Sequence, residues 1–195
     1  CIVEDCTAYY GGGIALVNGR AAEGLDCIIR NCEAVTRGGG VYIDASSPTL
    51  LRVTLSSNDA SSAQGGGLAA AGNCSPTVDA CLFEGNAAYM GGGAYFGWQA
   101  TSGSPVIRDC AFMDANSAVD YGGGLSFVGS ISVSVLRSVI DGNVAALGGG
   151  GFNGDSGCTL SLTNCQITNN TCSDGQGNGL GGAAELYADT ATFTN

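Results

Sequence analysis

Lysine and histidine are absent from the 195 residues, and all six basic side chains are arginine. Base chemistry from an imidazole or an amine is thereby excluded, as are the lysine of a phosphate loop and histidine metal ligands. Charged residues make up only 12% of the chain, and the net charge is -11. Such a surface is a poor partner for nucleic acid or for an anionic membrane. No apolar run approaches the ~20 residues that span a bilayer, so no membrane insertion by this segment is expected. No signal peptide is present; the chain opens at Cys1 and stops at "TFTN", inside what reads as a repeat. A single segment covering residues 1–195, cut from a longer secreted chain, is expected.

Glycine is plentiful at 34 residues, yet hydrophobic residues reach 45%, which is incompatible with a disordered chain. Ten cysteines point to an oxidising, extracellular compartment. Two glycosylation sequons agree, at Asn73 ("NCS") and Asn169 ("NNT").

The glycines are ordered in triplets. They begin at Gly11, Gly38, Gly65, Gly91, Gly122 and Gly149, with "GGA" at Gly181, at spacings of 26 to 32 residues. A second column keeps the same beat: Cys1, Cys27, Val53, Cys81, Cys110, Ser138, Cys165 and Ala191. Two residues after each stand Val3, Ile29, Leu55, Phe83, Phe112, Ile140, Ile167 and Phe193. Three residues before it, Leu50, Val78, Ile107, Val135, Leu162 and Ala188 recur, with Gly24 the exception. Five residues after it come Cys6, Cys32, Asn58, Asn86, Asn116 (displaced by one), Asn143 and Asn170, and two further on a column of alanines that ends at Cys172. Pro48, Pro76 and Pro105 fall on the same grid.

Within each repeat the apolar spacing is two, the period of a strand, and this much glycine penalises helices. Units of about 27 residues that cannot bury a core alone must stack. The expected fold is all-β: a parallel β-helix of about seven coils, ~4.8 Å apart. Glycine triplets then mark a corner where the backbone takes positive φ and coils lie close. The asparagine column marks another corner, asparagine tolerating left-handed backbone and forming amide ladders between coils.

Stretches such as "VIRDCAFMDANSAVDYGGGL" and "LTNCQITNN...GGAA" resemble the repeats of chlamydial polymorphic membrane proteins and related secreted β-helical proteins, over essentially the whole chain. The resemblance implies a right-handed parallel β-helix at a cell surface, with an adhesive or structural role.

No catalytic constellation emerges. Asp79 and Asp109 stand at different offsets in adjacent repeats, Asp141 and Glu84 share an offset two repeats apart, and Arg108 with Asp109 reads as a surface pair. No calcium-binding nonapeptide repeat, cofactor motif or CxxC metal site is present, and no cofactor is expected. The cysteines of the main column read as small core residues, with Cys110 a free thiol. Cys74 and Cys158 read as matched additions outside the core pattern. Cys6 and Cys32, at a corner of adjacent coils, are expected to form a disulfide, with Cys1–Cys6 and Cys27–Cys32 as the competing local pairing. Cys1 and Cys27 are set aside as a pair because they read as flat strand positions. The expected function is a non-enzymatic structural or adhesive segment that meets other extracellular proteins or glycans, or itself in a filament. The rival readings are a polysaccharide-active enzyme with catalytic coils elsewhere, and a carbohydrate- or ice-binding surface.

Overall fold

The computed structural model describes residues 1–19, 22–155, 157–175, 179–187 and 190–195. Every regular element among them is a β-strand, and no helix is long and apolar enough to cross a membrane. The second coil shows the plan: strands Ile28–Arg30, Glu33–Arg37, Val41–Asp44 and Thr49–Leu51. Each pairs in parallel with its counterparts in the coils before and after. Repetition gives four sheets of seven strands, hence seven coils. At ~4.8 Å per coil the rod is roughly 30 to 35 Å long.

Alternation along each strand sends one set of side chains inward, where equal residues stack. Val3, Ile29, Leu55, Phe83, Phe112, Ile140 and Ile167 form one such column in the first sheet. The rings of Phe83 and Phe112 stack at 4.5 Å and 14° within it. In the fourth sheet Gly24, Leu50, Val78, Ile107, Val135 and Leu162 line up in the same way. That column ends on Phe193, because Leu160 pairs with Ala191 and Leu162 with Phe193. The sequence register, which puts Ala191 after Cys165 and Phe193 after Ile167, is therefore corrected. The longer stretch before Gly181 consumes residues of the last coil, and the chain is still in its fourth sheet at Phe193. Ala188 lies outside the described residues.

At the glycine corner, φ is +67° at Gly38, and a Cβ there would lie 2.3 Å from the Val41 carbonyl oxygen. At Gly39 a Cβ would lie 2.5 and 2.6 Å from the carbonyl oxygens of Gly66 and Asp59. The first position needs the backbone freedom of glycine, the second its lack of bulk.

The other corners differ from the sequence reading. The left-handed residue is the one before the asparagine: Asn31, Ser57, Gly85, Gly142 and Asn169 have φ between +52° and +66°. At the displaced coil Asp114 and Ala115 are both left-handed, which absorbs the extra residue ahead of Asn116. The turn made one residue early points each amide into the core. Asn58 Oδ1 accepts from the Cys32 N–H at 3.1 Å, and its Nδ2 donates to the Ile29 carbonyl and to Asn86 Oδ1, each at 3.0 Å. Asn86, Asn116, Asn143 and Asn170 continue the ladder.

Cys27, Val53, Cys81, Cys110, Ser138 and Cys165 also occupy a corner, not a flat strand. Each follows a residue with φ between +47° and +54°, from Asp26 to Asn164. Here too side chains accept from the previous coil: Cys110 Sγ from the Cys81 N–H at 3.4 Å and Ser138 Oγ from the Cys110 N–H at 3.2 Å.

Candidate functional site

Aromatic residues divide by type. Phe83, Phe96, Phe112, Phe127 and Phe152 are fully buried inside the rod. The seven tyrosines and the single tryptophan all lie along one edge, from the end of the second sheet across the outer face of the third. Tyr9, Tyr10 and Tyr89 are on the second-sheet strands Thr7–Tyr10 and Ala87–Met90. Tyr42, Tyr95 and Trp98 are on the third-sheet strands Val41–Asp44 and Ala94–Trp98. Tyr121 bridges to Gly148 at the end of the second sheet, and Tyr187 follows the third-sheet strand Ala184–Leu186.

The glycine corner builds this edge. In the first two coils the residue before the triplet overruns the corner and lies against the outer face of the third sheet. Tyr10 stacks on Tyr42 at 4.9 Å and 27°, and Arg37 sits 4.0 Å over the Trp98 ring. The outward column Tyr42, Ala69, Tyr95, Ser126, Asn153 and Glu185 is buried, although it faces away from the core. The Ser126 hydroxyl donates to Asn153 Oδ1 at 2.7 Å within it. Above this buried floor Tyr9, Tyr89, Trp98 and Tyr187 remain exposed.

Carboxylates accompany the rings. Burial, and then the neighbouring Asp44, pushes the Tyr42 hydroxyl up, and burial pushes Tyr95 up to about 12. The Tyr89 hydroxyl is raised by its hydrogen bond with Asp120, and that of Tyr187 by its bond with Glu185. Burial raises the Glu185 carboxyl in turn. Its Oε2 has no hydrogen-bond partner among the described residues and fills the space that a Cβ on Gly148 would need. Exposed ring faces beside carboxylate acceptors suit ligands with apolar faces and hydroxyl edges.

Four-sided coils stacked in parallel, with corners on a 27-residue beat, are the features a family comparison tests. The model of the right handed beta helix region matches residues 1–195. The chain belongs to the right-handed beta helix family. Nothing matches it among curated proteins or among solved structures.

Elsewhere on this beta helix the residues singled out in the sequence stay apart. Asn73 and Asn169 are exposed at turns. Asn73 Oδ1 accepts from the Thr101 N–H at 2.9 Å, and Asn169 Nδ2 donates to Asp141 Oδ1 at 2.8 Å. The Arg108–Asp109 pair is replaced by pairs between coils: Arg108 reaches Asp79 at 2.7 Å and Arg137 reaches Asp109 at 2.6 Å. The equivalent position one coil away is nearer than a chain neighbour whose left-handed backbone turns its side chain aside. No group of three or more acidic, cysteine or histidine side chains among the described residues is placed to hold a metal ion.

All ten cysteines are thiols in the structure, Cys6 and Cys32 among them at equivalent corners of adjacent coils. The Cys32 thiol is raised chiefly by burial. Cys27 stands at a corner as well, so the flat-strand argument against a Cys1–Cys27 pair does not hold. Cys74 and Cys158 are core residues, not additions outside it, and burial pushes the Cys74 thiol up to about 11.

The tyrosine edge is absent from the sequence reading. Its signal was nevertheless present in the residue before each triplet (Tyr10, Arg37, Tyr121) and in the one four after its first glycine (Tyr42, Tyr95).

Proposed function

We propose that this beta helix is a non-enzymatic adhesive segment of a larger extracellular protein, and that its tyrosine edge engages glycans. The observation that carries the reading is the segregation of aromatics: phenylalanine fills the core, while tyrosine and tryptophan gather on one outer edge among carboxylates. Packing alone gives no reason to confine every tyrosine to one edge of four. The likeness to polymorphic membrane protein repeats supports an adhesive role, and the cysteine content and sequons support secretion. Other extracellular proteins, or a second copy within a filament, fit the same stiff scaffold. A glycan array probed with the chain and with a Tyr89→Ala/Tyr187→Ala variant tests the proposal. Binding that the variant loses supports it; an array without binders, or binding indifferent to both rings, rejects it.

A second reading has one observation in its favour. Glu185 is a buried carboxyl raised by its surroundings on the same edge, as a general acid in polysaccharide cleavage would be. Release of reducing ends that Glu185→Gln abolishes supports that reading in place of the first.

A further inference from the structure

Arg30, Arg52, Arg108 and Arg137 each pair with a carboxylate one coil away, on Glu4, Asp26, Asp79 and Asp109. Arg37 does not. Its Nε donates to Gln64 Oε1 at 2.8 Å, and its guanidinium carbon lies 4.0 Å from the centre of the Trp98 ring. With 17 acidic residues against six basic ones, carboxylates are the commonest partners this chain offers. Arg37 is the one arginine among the described residues held by an amide and a ring instead.

Its placement follows from two alanines. Arg37 belongs to the second coil and Trp98 to the fourth, so the side chain must cross the third. There Ala69 stands between Tyr42 and Tyr95, and Ala71 between Asp44 and Trp98. Both are buried and add no bulk above the sheet. The guanidinium passes over them, held by contact with the indole ring and, at its Nε, by Gln64. Its terminal amino groups donate to no acceptor among the described residues. A guanidinium fixed in this way presents parallel N–H groups with the spacing of a carboxylate. Cation–π contact with an indole holds it there without neutralising its charge.

We propose that Arg37, positioned by Trp98 and Gln64, is a subsite for the carboxylate of an acidic sugar within the tyrosine edge. The inference rests on the glycan-binding reading of that edge and adds what the edge selects. Tyr89, exposed in the same coil as Trp98, offers the ring of the bound sugar an aromatic face. A uronate and a sialate carry the same group, and both fit the chemistry. The net charge of -11 disfavours long polyanions, but charge repulsion is screened beyond ~8 Å at physiological salt. Short acidic oligosaccharides are therefore the ligands.

Trp98 is the only tryptophan in the chain, so its fluorescence reports on this subsite alone. The titration uses a hyaluronan tetrasaccharide, 3′-sialyllactose, neutral cellotetraose and a tetraglutamate peptide against the chain, Arg37→Gln and Arg37→Lys, each variant first shown to melt like the parent. One or both acidic sugars are expected to shift the emission saturably, and which of them does so identifies the source of the carboxylate. Cellotetraose is expected to bind at least ~10-fold more weakly, and Arg37→Gln to remove that difference while Arg37→Lys keeps part of it. Cellotetraose binding as well as the acidic sugars, with Arg37→Gln without effect, overturns the subsite and leaves the glycan reading intact. Tetraglutamate matching the acidic sugars overturns the choice of a sugar. No response to any oligosaccharide overturns both.

Discussion

At the scale of single residues, the asparagine ladder and the glycine corner make opposite demands. Asn86 is fully buried and bonds the Leu55 carbonyl at 2.9 Å, Asn116 Oδ1 at 2.9 Å and the Asn58 N–H at 3.0 Å. Alanine at this position leaves several buried groups unpaired, each worth ~1 to 3 kcal/mol. Asn86→Ala is therefore expected to destabilise the chain by about 3 kcal/mol in urea melts. Gly142 has φ +66° with no atom within 4 Å of an added Cβ, whereas at Gly123 the Cβ would meet the Val144 carbonyl at 2.4 Å. Gly142→Ala should lose only the ~1 to 2 kcal/mol of a left-handed alanine, and Gly123→Ala should not fold; equal losses in the same melts would contradict these two roles. Glu185 makes a prediction in pH. Its pKa is raised in the fold, so the wild type loses stability as pH rises from the ordinary 4.5 through the folded value. Glu185→Gln should be the more stable protein at pH 7 and lose that advantage near pH 4, measured by thermal melts across that range.

At the scale of elements, the sequence made the columns legible and left the corners half hidden. A stacked inward residue repeats itself, so the column from Val3 to Ile167 could be read directly, as could the asparagines. The left-handed residue before each position of the asparagine column varies in type, through Asn31, Ser57, Gly85 and Ala115, because an exposed turn constrains backbone angle more than side chain. The last coil misled for a related reason: an irregular stretch before Gly181 breaks the count that the register depends on. The tyrosine edge was hidden because tyrosine shares one column with Arg37, Gln64 and Met90 and the other with Ala69, Ser126 and Asn153, so no single residue type repeats. Corner geometry also bears on the cysteines. Cys6 and Cys32 hold in the first two coils the place that the amide ladder fills later, and equivalent Cα atoms ~4.8 Å apart fall within disulfide range. Oxidised protein is expected to yield a peptide linking Cys6 to Cys32 on non-reduced mapping. Linkage of Cys1 to Cys6 and of Cys27 to Cys32 would contradict the tie between coils.

At the scale of the whole molecule, the proposed function divides the beta helix into supporting sides and one side for recognition. The first and fourth sheets and the corner between them carry arginine–carboxylate pairs between coils, which hold at the surface and weaken with salt. The third sheet has an outer layer instead, where Tyr10 and Arg37 fold over its outer face. There the rod presents exposed rings in its first, fourth and seventh coils, at Tyr9, at Tyr89 and Trp98, and at Tyr187, a spacing that suits a chain ligand laid parallel to the axis. Chemical-shift mapping by NMR, with the oligosaccharide that binds most tightly on the array, tests this account most directly. The account predicts shifts concentrated at Tyr9, Arg37, Tyr89, Trp98 and Tyr187, with Arg108, Arg137 and the rest of the opposite sides unmoved. Shifts centred on the first and fourth sheets, with the tyrosine edge silent, would contradict it.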